Sequence, residues 1–380
     1  MSRSLLCETV TGGTMAELLA ARDAATDADL VELRLDGVGD RDVALALHGR
    51  RCPAIVTCRP VWEGGRFDGG EDARQRILSD ALQCGAEYVD VEWRSLRGAG
   101  GSGAFDELLE SGQRRVLVSA HDFSGIPADL NGQVNAMRAT GATVIKIAVT
   151  PARLSETLPL RQVARDGDAV VIGMGDAGIP TRLLATRFKS RWTYGGKGVA
   201  PGQVPTVRML QDFRFRGIGD GTLLYGVVGS SVTHSVLPVM HNAAFGAAGL
   251  DAVCVPLNAA DFEDFLTFAE ALGIAGAGVC APFGQDALAA SVRADEVARR
   301  VGTANAVRRT ADSWEAINTG AADGDLGRPT APSQAGEDRV VAEAERQWEW
   351  WTGRRPQPGV MRAALAGTTG HRDTEAQSRT

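Results

Sequence analysis

Short apolar runs alternate with amphipathic stretches over the first half of the chain, and this alternation predicts repeating strand and helix units. Segments such as DARQRILSDALQCGA carry apolar residues every three or four positions, as helices do. Eight such units in about 200 residues favour a (β/α)8 TIM barrel. A doubly wound sheet is the alternative, because sequence does not reveal strand order. The predicted strands are Leu5–Thr9, Leu30–Leu35, Ala54–Cys58, Tyr88–Glu92, Val116–Ala120, Val144–Val149, Ala169–Met174 and Arg191–Tyr194.

A second, smaller α/β pattern follows. The runs LLYGVVG, AVCVPL and GAGVCAPF predict a unit of three or four strands, with a helix around PVMHNAAFGAAG. A Gly/Pro/Ser/Asp-rich linker comes next, and RVVAEAERQWEWWTG predicts a helix whose Trp348, Trp350 and Trp351 must pack on a surface. We therefore predict a barrel at 1–220, an α/β region at 221–324, a linker at 325–336, a closing helix at 337–366 and a disordered tail at 367–380.

Composition narrows the range of partners. The net charge is -7 with acids and bases interspersed, so no basic block is available for nucleic acid. No run approaches the roughly 20 apolar residues that span a bilayer, and the first residues, MSRSLLCETV, do not resemble a secretion signal. Six scattered cysteines without C-x-x-C spacing predict reduced, buried thiols. We expect a cytoplasmic protein that binds neither membrane nor nucleic acid.

One lysine stands in an unusual place. Of 40 basic residues only Lys146, Lys189 and Lys197 are lysines, and Lys146 lies inside the apolar strand VIKIAV. Burial disfavours the ammonium, and a neutral amine attacks carbonyl carbons, whereas arginine stays protonated. We therefore expect Lys146 to form an imine with a ketone. The structural alternative is an ammonium that extends from the strand end to a carboxylate.

A histidine can supply the acid and base steps. His121 stands just past the carboxyl end of the preceding strand, and that end is the active face of a TIM barrel. An imidazole can remove the proton beside an imine and return a proton to a leaving hydroxyl. Arg59 and Arg182 are candidates for binding a carboxylate through paired hydrogen bonds. Further strand-end charges are Glu32, Arg34, Asp36, Glu63, Arg66 and Glu92, of which we expect Asp36 and Arg66 to form ion pairs.

Six motifs in order, VELRLD, TCRPVWEGGRFDG, SAHDF, VIKIAVT, PTRLL and APGQ, resemble the type I 3-dehydroquinate dehydratases over about residues 4 to 217. The resemblance implies an imine between Lys146 and 3-dehydroquinate, with His121 as general acid and base and Glu63 orienting the imidazole. It implies no metal and no cofactor. Val199 stands where the family has a serine, so one substrate hydrogen bond is expected to be lost. The residues implied to bind substrate are Glu32, Arg34, Arg59, Arg182 and Gln203.

The second half resembles a damaged shikimate dehydrogenase. GVVGSSVTHSVLPVMHNAAF, GAGVCAPFGQDAL, TANAVRR and WEAINTG are similar to its substrate domain, and AERQWEWWTGRRPQPGVM to its end. Leu237, Gly284 and Gly320 replace a serine, the catalytic lysine and an aspartate of that family. No G-x-G-x-x-G follows a strand, and the linker is too short for a nicotinamide domain. We therefore predict no shikimate dehydrogenase activity.

Three hypotheses remain open at this stage. The first is a dehydratase of 3-dehydroquinate in the shikimate pathway, and the second is a bifunctional dehydratase and NADP-dependent dehydrogenase. In the third, the carboxyl-terminal half is a binding or dimerisation module, and a homodimer is compatible with it. Ser235, Asn242 and Asn305 would contact a polyol or serve as loop and cap residues. His234 and His241 lack a third metal ligand nearby, so we predict no metal.

Overall fold

The computed structural model describes residues 3–96, 108, 115–196, 201–311, 313–320 and 334–377. The chain divides into two compact units, Met1–Pro151 with Pro159–Met209 and Ala152–Leu158 with Leu210–Thr380. Residues 210–220, which we predicted as part of the barrel region, belong to the second unit in this division. There the Asn242 side chain donates to the Asp212 carbonyl at 2.8 Å, and Arg214 donates to the Leu250 carbonyl at 3.2 Å. Most of the predicted linker, residues 325–333, lies outside the described residues.

The first unit contains an eight-stranded parallel sheet, in the order β7-β6-β5-β4-β3-β2-β1-β8. The ends of this order meet, because the Arg191 amide donates to the Ala169 carbonyl at 2.9 Å and the Val171 amide donates to the Ser190 hydroxyl at 3.1 Å. The predicted TIM barrel is confirmed. Its strands are β1 Leu5–Val10, β2 Leu30–Arg34, β3 Ala54–Thr57, β4 Tyr88–Glu92, β5 Val116–Asp122, β6 Val144–Val149, β7 Ala169–Gly173 and β8 Trp192–Gly195.

Helices connect these strands, and polar residues cap three of them at their first turn. Thr14 and Glu17 form a capping box at the start of the first helix, and the Asp129 carboxylate accepts from the Gly132 amide at the start of the fourth. The chain passes between the two units within the seventh helix. The helices are α1 Met15–Ala24, α2 Val43–Leu47, α3 Glu71–Gln83, α4 Leu130–Arg138, α5 Leu160–Val163, α6 Gly175–Leu183 and α7 Thr206–Gln211.

The barrel strands are buried on both faces, as parallel strands covered by helices are. All six residues of β6 are buried, including Lys146. Polar side chains within such strands must find partners inside the barrel, because solvent is not available to them. The strands therefore bring a concentrated set of charges into the barrel interior, and this set builds the site described below.

The second unit contains a six-stranded sheet, in the order β10-β9-β11-β13-β14-β12. The prediction of three or four strands was wrong, because TANAVRR and WEAINTG pair as an antiparallel hairpin, β13 with β14, and a two-residue strand, β12, joins its edge. The strands are β9 Leu223–Gly229, β10 Ala252–Asn258, β11 Ile274–Val279, β12 Arg293–Ala294, β13 Ala306–Arg309 and β14 Trp314–Ile317. The helices between them are α8 Leu237–Ala247, α9 Phe262–Leu272, α10 Gly284–Ala289 and α11 Glu296–Val301.

Two helices close this unit, α12 Gln334–Thr352 and α13 Val360–Gln377, where one had been predicted. Gly353, at a φ of 68°, ends the first helix, and two prolines in GRRPQPG keep the chain from continuing as a helix. A tail was predicted from residue 367, and α13 extends over part of that stretch, to Gln377, through a segment with helix-forming Ala, Arg, Glu and Gln. Trp348 and Trp351 are buried as expected, Trp351 with its ring 5.1 Å from that of Tyr225. Among the described residues, none of the helices has the length and apolar character required to span a membrane.

Candidate active site

A cavity of about 470 Å³, including its open mouth, lies among the barrel strands. One part of the wall is charged, and the other is apolar, with Ala148, Ile172 and Met174. Seven of the eight predicted site residues line this cavity, and the eighth, Glu63, contacts one of them. The remaining wall consists of Thr9, Glu32, Arg34, Arg59, His121, Lys146, Arg182, Tyr194 and Gln203.

Lys146 has its amino group in the centre of the charged wall and is only 6% exposed. Its Nζ lies 3.3 Å from Asp90 Oδ2 and 3.5 Å from Glu32 Oε1. It also lies 4.2 Å from the centroid of the Tyr194 ring, over its face. The sequence left open that Lys146 is an ammonium paired with a carboxylate at the strand end. The structure shows a pairing with two carboxylates, and this pairing lies inside the cavity.

Arg59 links the carboxylates of β4. Its Nη2 donates to Asp90 Oδ2 at 2.7 Å, and its Nη1 donates to Glu92 Oε1 at 2.7 Å and to Ser119 Oγ at 2.8 Å. Although burial opposes the charge, Asp90 and Glu92 raise the pKa of Arg59 above its ordinary value. Burial also opposes the ionised form of Asp90, but Arg59 and Lys146 hold its pKa well below its usual range. Arg59 thus already binds two protein carboxylates, whereas the sequence suggested a substrate carboxylate.

Glu32 and Arg34 come from the same strand, β2. Glu32 accepts hydrogen bonds from the hydroxyls of Thr9 and Thr57, both at 2.9 Å, and although burial opposes ionisation, Lys146 and then Arg34 lower its pKa. Arg34 donates twice to Asp36, at 2.8 Å each, and Asp36 is 3% exposed. The ion pair expected for Asp36 is therefore present. The backbone amide of Arg66 also donates to Asp36, at 3.0 Å.

His121 and Glu63 form a hydrogen-bonded pair. His121 lies within β5, one residue before its end, rather than just past it, because the ladder to β6 continues to Asp122. Its Nδ1 lies 3.3 Å from Glu63 Oε1, which also accepts from the His121 backbone amide at 3.0 Å. This contact favours the tautomer with the proton on Nδ1, leaving Nε2 as acceptor. Burial and the charge of Arg59 lower the pKa of His121 to about 4, so the imidazole is neutral at neutral pH.

Arg182 differs from the other arginines of the cavity. It is 2% exposed, and within the described part of the chain no carboxylate lies within 4.0 Å of its guanidinium. Its hydrogen bonds go to the carbonyls of Tyr194 at 3.4 Å and Pro201 at 3.3 Å, and its Nε has no partner among the described residues. Burial lowers the pKa of Arg182 to about 10. Nearby, Gln203 donates to the Gly195 carbonyl at 3.0 Å.

Sequence reasoning missed two residues that contact Lys146. Asp90 alternates with Glu92 in VDVE, and since side chains two apart on a strand share a face, this spacing could have placed both inside the barrel. Tyr194 lies on β8, where it alternates with the buried Trp192 in the same way. Val199, the predicted departure from the family, lies outside the described residues. Among the described residues no group of His, Cys, Asp or Glu could hold a metal ion, and all six cysteines are free thiols.

In the second unit, the positions that depart from the dehydrogenase pattern are closely packed. A Cβ added to Gly320 would lie 2.6 Å from Glu343 Oε1, and one added to Gly284 would lie 3.1 Å from the Ala304 carbonyl. Asn242 is 1% exposed, and its side chain bonds to backbone groups of Asp212 and Cys254. These contacts favour a structural role for Asn242 over contact with a polyol.

Comparison with known protein families gives two matches. Residues 6–220 match the type I 3-dehydroquinase family, and residues 227–307 match the substrate-binding domain of shikimate dehydrogenase. The chain is similar to a 3-dehydroquinate dehydratase of Methanothrix thermoacetophila, with 38% identity over 213 residues, which are 54% of this chain and 89% of that protein.

A longer relative is the bifunctional 3-dehydroquinate dehydratase/shikimate dehydrogenase, chloroplastic, of Arabidopsis thaliana. It is 32% identical over 327 residues, which are 80% of this chain and 53% of that protein. The chain thus spans about half the length of this relative. Among solved structures, a type I 3-dehydroquinate dehydratase from Clostridium difficile aligns with a TM-score of 0.49 and 23% identity, covering 55% of this chain and 90% of that one.

Proposed function

We propose, because this chain belongs to the type I 3-dehydroquinase family, that its barrel dehydrates 3-dehydroquinate to 3-dehydroshikimate through an imine on Lys146. The observation that carries the proposal is the pairing of groups on adjacent strands. Lys146 on β6 and His121 on β5 line one cavity, with Ser119 opposite Lys146 in the ladder and His121 two residues further on. An amine and a neutral imidazole at this spacing are the two groups that such an elimination requires.

The first step is imine formation. The amine of Lys146 attacks the ketone carbon, and the carbonyl oxygen leaves as water, so that a protonated imine replaces the ketone. Attack requires the amine to be neutral, so the ammonium that pairs with Asp90 and Glu32, at 3.3 and 3.5 Å from Nζ, first gives one proton to solvent. A proton taken back as the oxygen leaves keeps the imine positive. The positive imine then withdraws electrons from the adjacent carbon, which makes the proton on that carbon removable.

The second step is the elimination. His121 accepts the proton next to the imine carbon, for which its pKa of about 4 provides a neutral imidazole. The electron pair forms the new carbon–carbon double bond as the hydroxyl departs, and the same imidazole returns its proton to that hydroxyl, so water leaves. Glu63 holds Nδ1 during both transfers. Water then hydrolyses the imine, releasing product and restoring the amine.

Binding of the substrate carboxylate is assigned to Arg182. Its guanidinium is buried without a carboxylate partner among the described residues, so an entering anion would offset the cost of burying it. Gln203 lines the same cavity and is the proposed second contact. Glu32 and Arg34 are proposed to bind substrate hydroxyls. Arg59 is proposed to act mainly by holding Asp90 and Glu92 in place.

Ultraviolet absorbance of the conjugated enone of 3-dehydroshikimate tests this proposal. The parent protein should produce the absorbance, and Lys146→Met should abolish it while leaving the fold intact. Lys189→Met is the matched control, because Lys189 does not line the cavity. Unchanged turnover in Lys146→Met would refute the imine mechanism, and no absorbance change from the parent protein would refute the activity.

A bifunctional dehydratase and shikimate dehydrogenase is the second candidate. It is favoured by the name of the Arabidopsis relative and by the match of residues 227–307 to a dehydrogenase substrate domain. Against it stand Gly284 and Gly320, which cannot supply the proton-transfer groups expected from a lysine and an aspartate. Oxidation of NADPH in the presence of 3-dehydroshikimate would establish this candidate, and its absence would leave the dehydratase alone.

The roles of the two halves, the oligomeric state and the cellular location can be tested separately. We assign the reaction to the barrel within 1–220 and propose that the regions predicted at 221–324 and 337–366 form a module without catalysis. Truncation after Arg216 tests whether this module supports barrel stability, and sedimentation tests a homodimer. A cytoplasmic location is supported by six free thiols, since reducing compartments keep cysteines unpaired. Cell fractionation would check it.

A further inference from the structure

The ring of Tyr194 is the third neighbour of the Lys146 amino group, and the mechanism above does not use it. Two of the neighbours, Asp90 and Glu32, are carboxylates that pair with the charge. The third is an aromatic face, with its centroid 4.2 Å from Nζ. An aromatic face attracts a cation within about 6 Å of its centroid, and the attraction is stronger where water is excluded.

The surroundings of Tyr194 fix its ring. Tyr194 is 4% exposed and packs in the barrel core with Trp192 and Met174. Burial, together with the charge of Glu32, raises the pKa of Tyr194 well above its ordinary value, so the phenol stays neutral. Its hydroxyl oxygen has no partner with hydrogen-bond geometry among the described residues. The ring face, rather than the hydroxyl, is therefore the part that contacts Lys146.

The ring differs from the two carboxylates in one respect. A carboxylate that takes up a proton during the reaction becomes neutral and loses its attraction for a positive nitrogen. The ring cannot take up a proton, so it attracts the nitrogen whenever that nitrogen is positive. It favours the protonated imine over the neutral imine, and the protonated imine is the form that withdraws electrons.

We propose that Tyr194 is a positioning residue for Lys146, whose ring face stabilises the nitrogen as an ammonium and then as a protonated imine. This inference rests on the proposed function, since it concerns the same nitrogen. In this role the negative charge of the ring face matters, and not only the space that the ring fills. A test must therefore change the charge of the ring face while keeping the shape of the ring.

A series of substitutions at position 194 separates the two roles. Tyr194→Phe keeps the ring and is the reference for the series, because fluorination of this phenylalanine then changes only the charge of the ring face. Phenylalanines with one, two and three ring fluorines weaken the negative face while preserving its outline. The rate of borohydride trapping and kcat should fall stepwise along this series. Tyr194→Leu should lower kcat by about tenfold or more, with KM changed less than kcat.

Tyr88 provides the matched control. Its ring also lies in the barrel, 5.4 Å from the ring of Trp192, but it does not line the cavity. The same fluorinated series at position 88 should leave both rates unchanged. Equal rates across the series at 194 would overturn the inference, as would a parallel fall at 88, which would indicate a packing effect. If the parent protein forms no borohydride adduct, the proposed function itself fails, so the two failures are distinguishable.

Discussion

Arg182→Met should stabilise the free barrel while damaging its function. Burial lowers the pKa of Arg182 to about 10, which corresponds to about 3 kcal/mol of unfavourable energy for the charged guanidinium. Since arginine is charged in both the folded and the unfolded chain at neutral pH, this cost is present at every pH below about 10. Methionine removes the charge and fills similar space.

Part of this gain is offset. Arg182 donates two long hydrogen bonds, at 3.4 and 3.3 Å, whose loss costs about 1 kcal/mol in total. We therefore expect the free energy of unfolding of the ligand-free barrel to rise by about 1 to 2 kcal/mol in Arg182→Met. At the same time kcat/KM should fall about 100-fold or more, because the substrate carboxylate loses a charge-assisted pair of hydrogen bonds.

Arg34→Met is the matched control, because Arg34 has a carboxylate partner and Arg182 has none among the described residues. Its removal leaves Asp36, which is 3% exposed, without its guanidinium, and should destabilise the barrel by about 3 kcal/mol. Amide hydrogen exchange of peptides from β7 and β8, measured without ligand, reports the barrel alone in the full chain. Slower exchange in Arg182→Met and faster exchange in Arg34→Met are expected. Equal destabilisation by both substitutions would contradict the burial cost assigned to Arg182.

Three further predictions concern pH and the second unit. Because the pKa of His121 is lowered to about 4, kcat/KM should stay level down to about pH 5 and fall below pH 4; an acid limb near pH 6.5 would contradict this. Burial also lowers the pKa of His241 to about 4, so the second unit should lose about 3 kcal/mol of stability as pH falls from 6.5 to 4. Hydrogen exchange of α8 should become faster over this pH range in the parent protein, and His241→Leu should remove the pH dependence. Gly320→Asp should destabilise the same unit, because it would place a second carboxylate beside that of Glu343. Glu343→Ala should remove this repulsion, and neither variant should oxidise NADPH.

Much of the barrel could be predicted because its strands are continuous apolar runs. Two predicted strands, Tyr88–Glu92 and Val144–Val149, match the structure at both ends. Lys146 could be singled out because a charged side chain inside such a run is shielded from solvent. The second unit was harder, since β12 has two residues and no pattern of its own. The break between α12 and α13 depends on Gly353, whose positive φ could have been anticipated from a glycine before two prolines.

Partners across the barrel could not be predicted, because they depend on the stagger between strands. The ladder sets Ser119 opposite Lys146, and Ser119 in turn bonds to Asp90 and Arg59. Nothing in the sequence states that Arg59 would bind two carboxylates while Arg182 would bind none among the described residues. The distinction decides which arginine is available to a substrate anion, and only the side-chain geometry reveals it.

The most direct test of the account is borohydride reduction in the presence of 3-dehydroquinate, followed by peptide mass spectrometry. Only three lysines occur in the chain, so the modified residue can be located without ambiguity. An adduct is expected on the peptide that contains Lys146, and none in the Lys146→Met variant. Product formation without any adduct, or an adduct on Lys189 in place of Lys146, would contradict it.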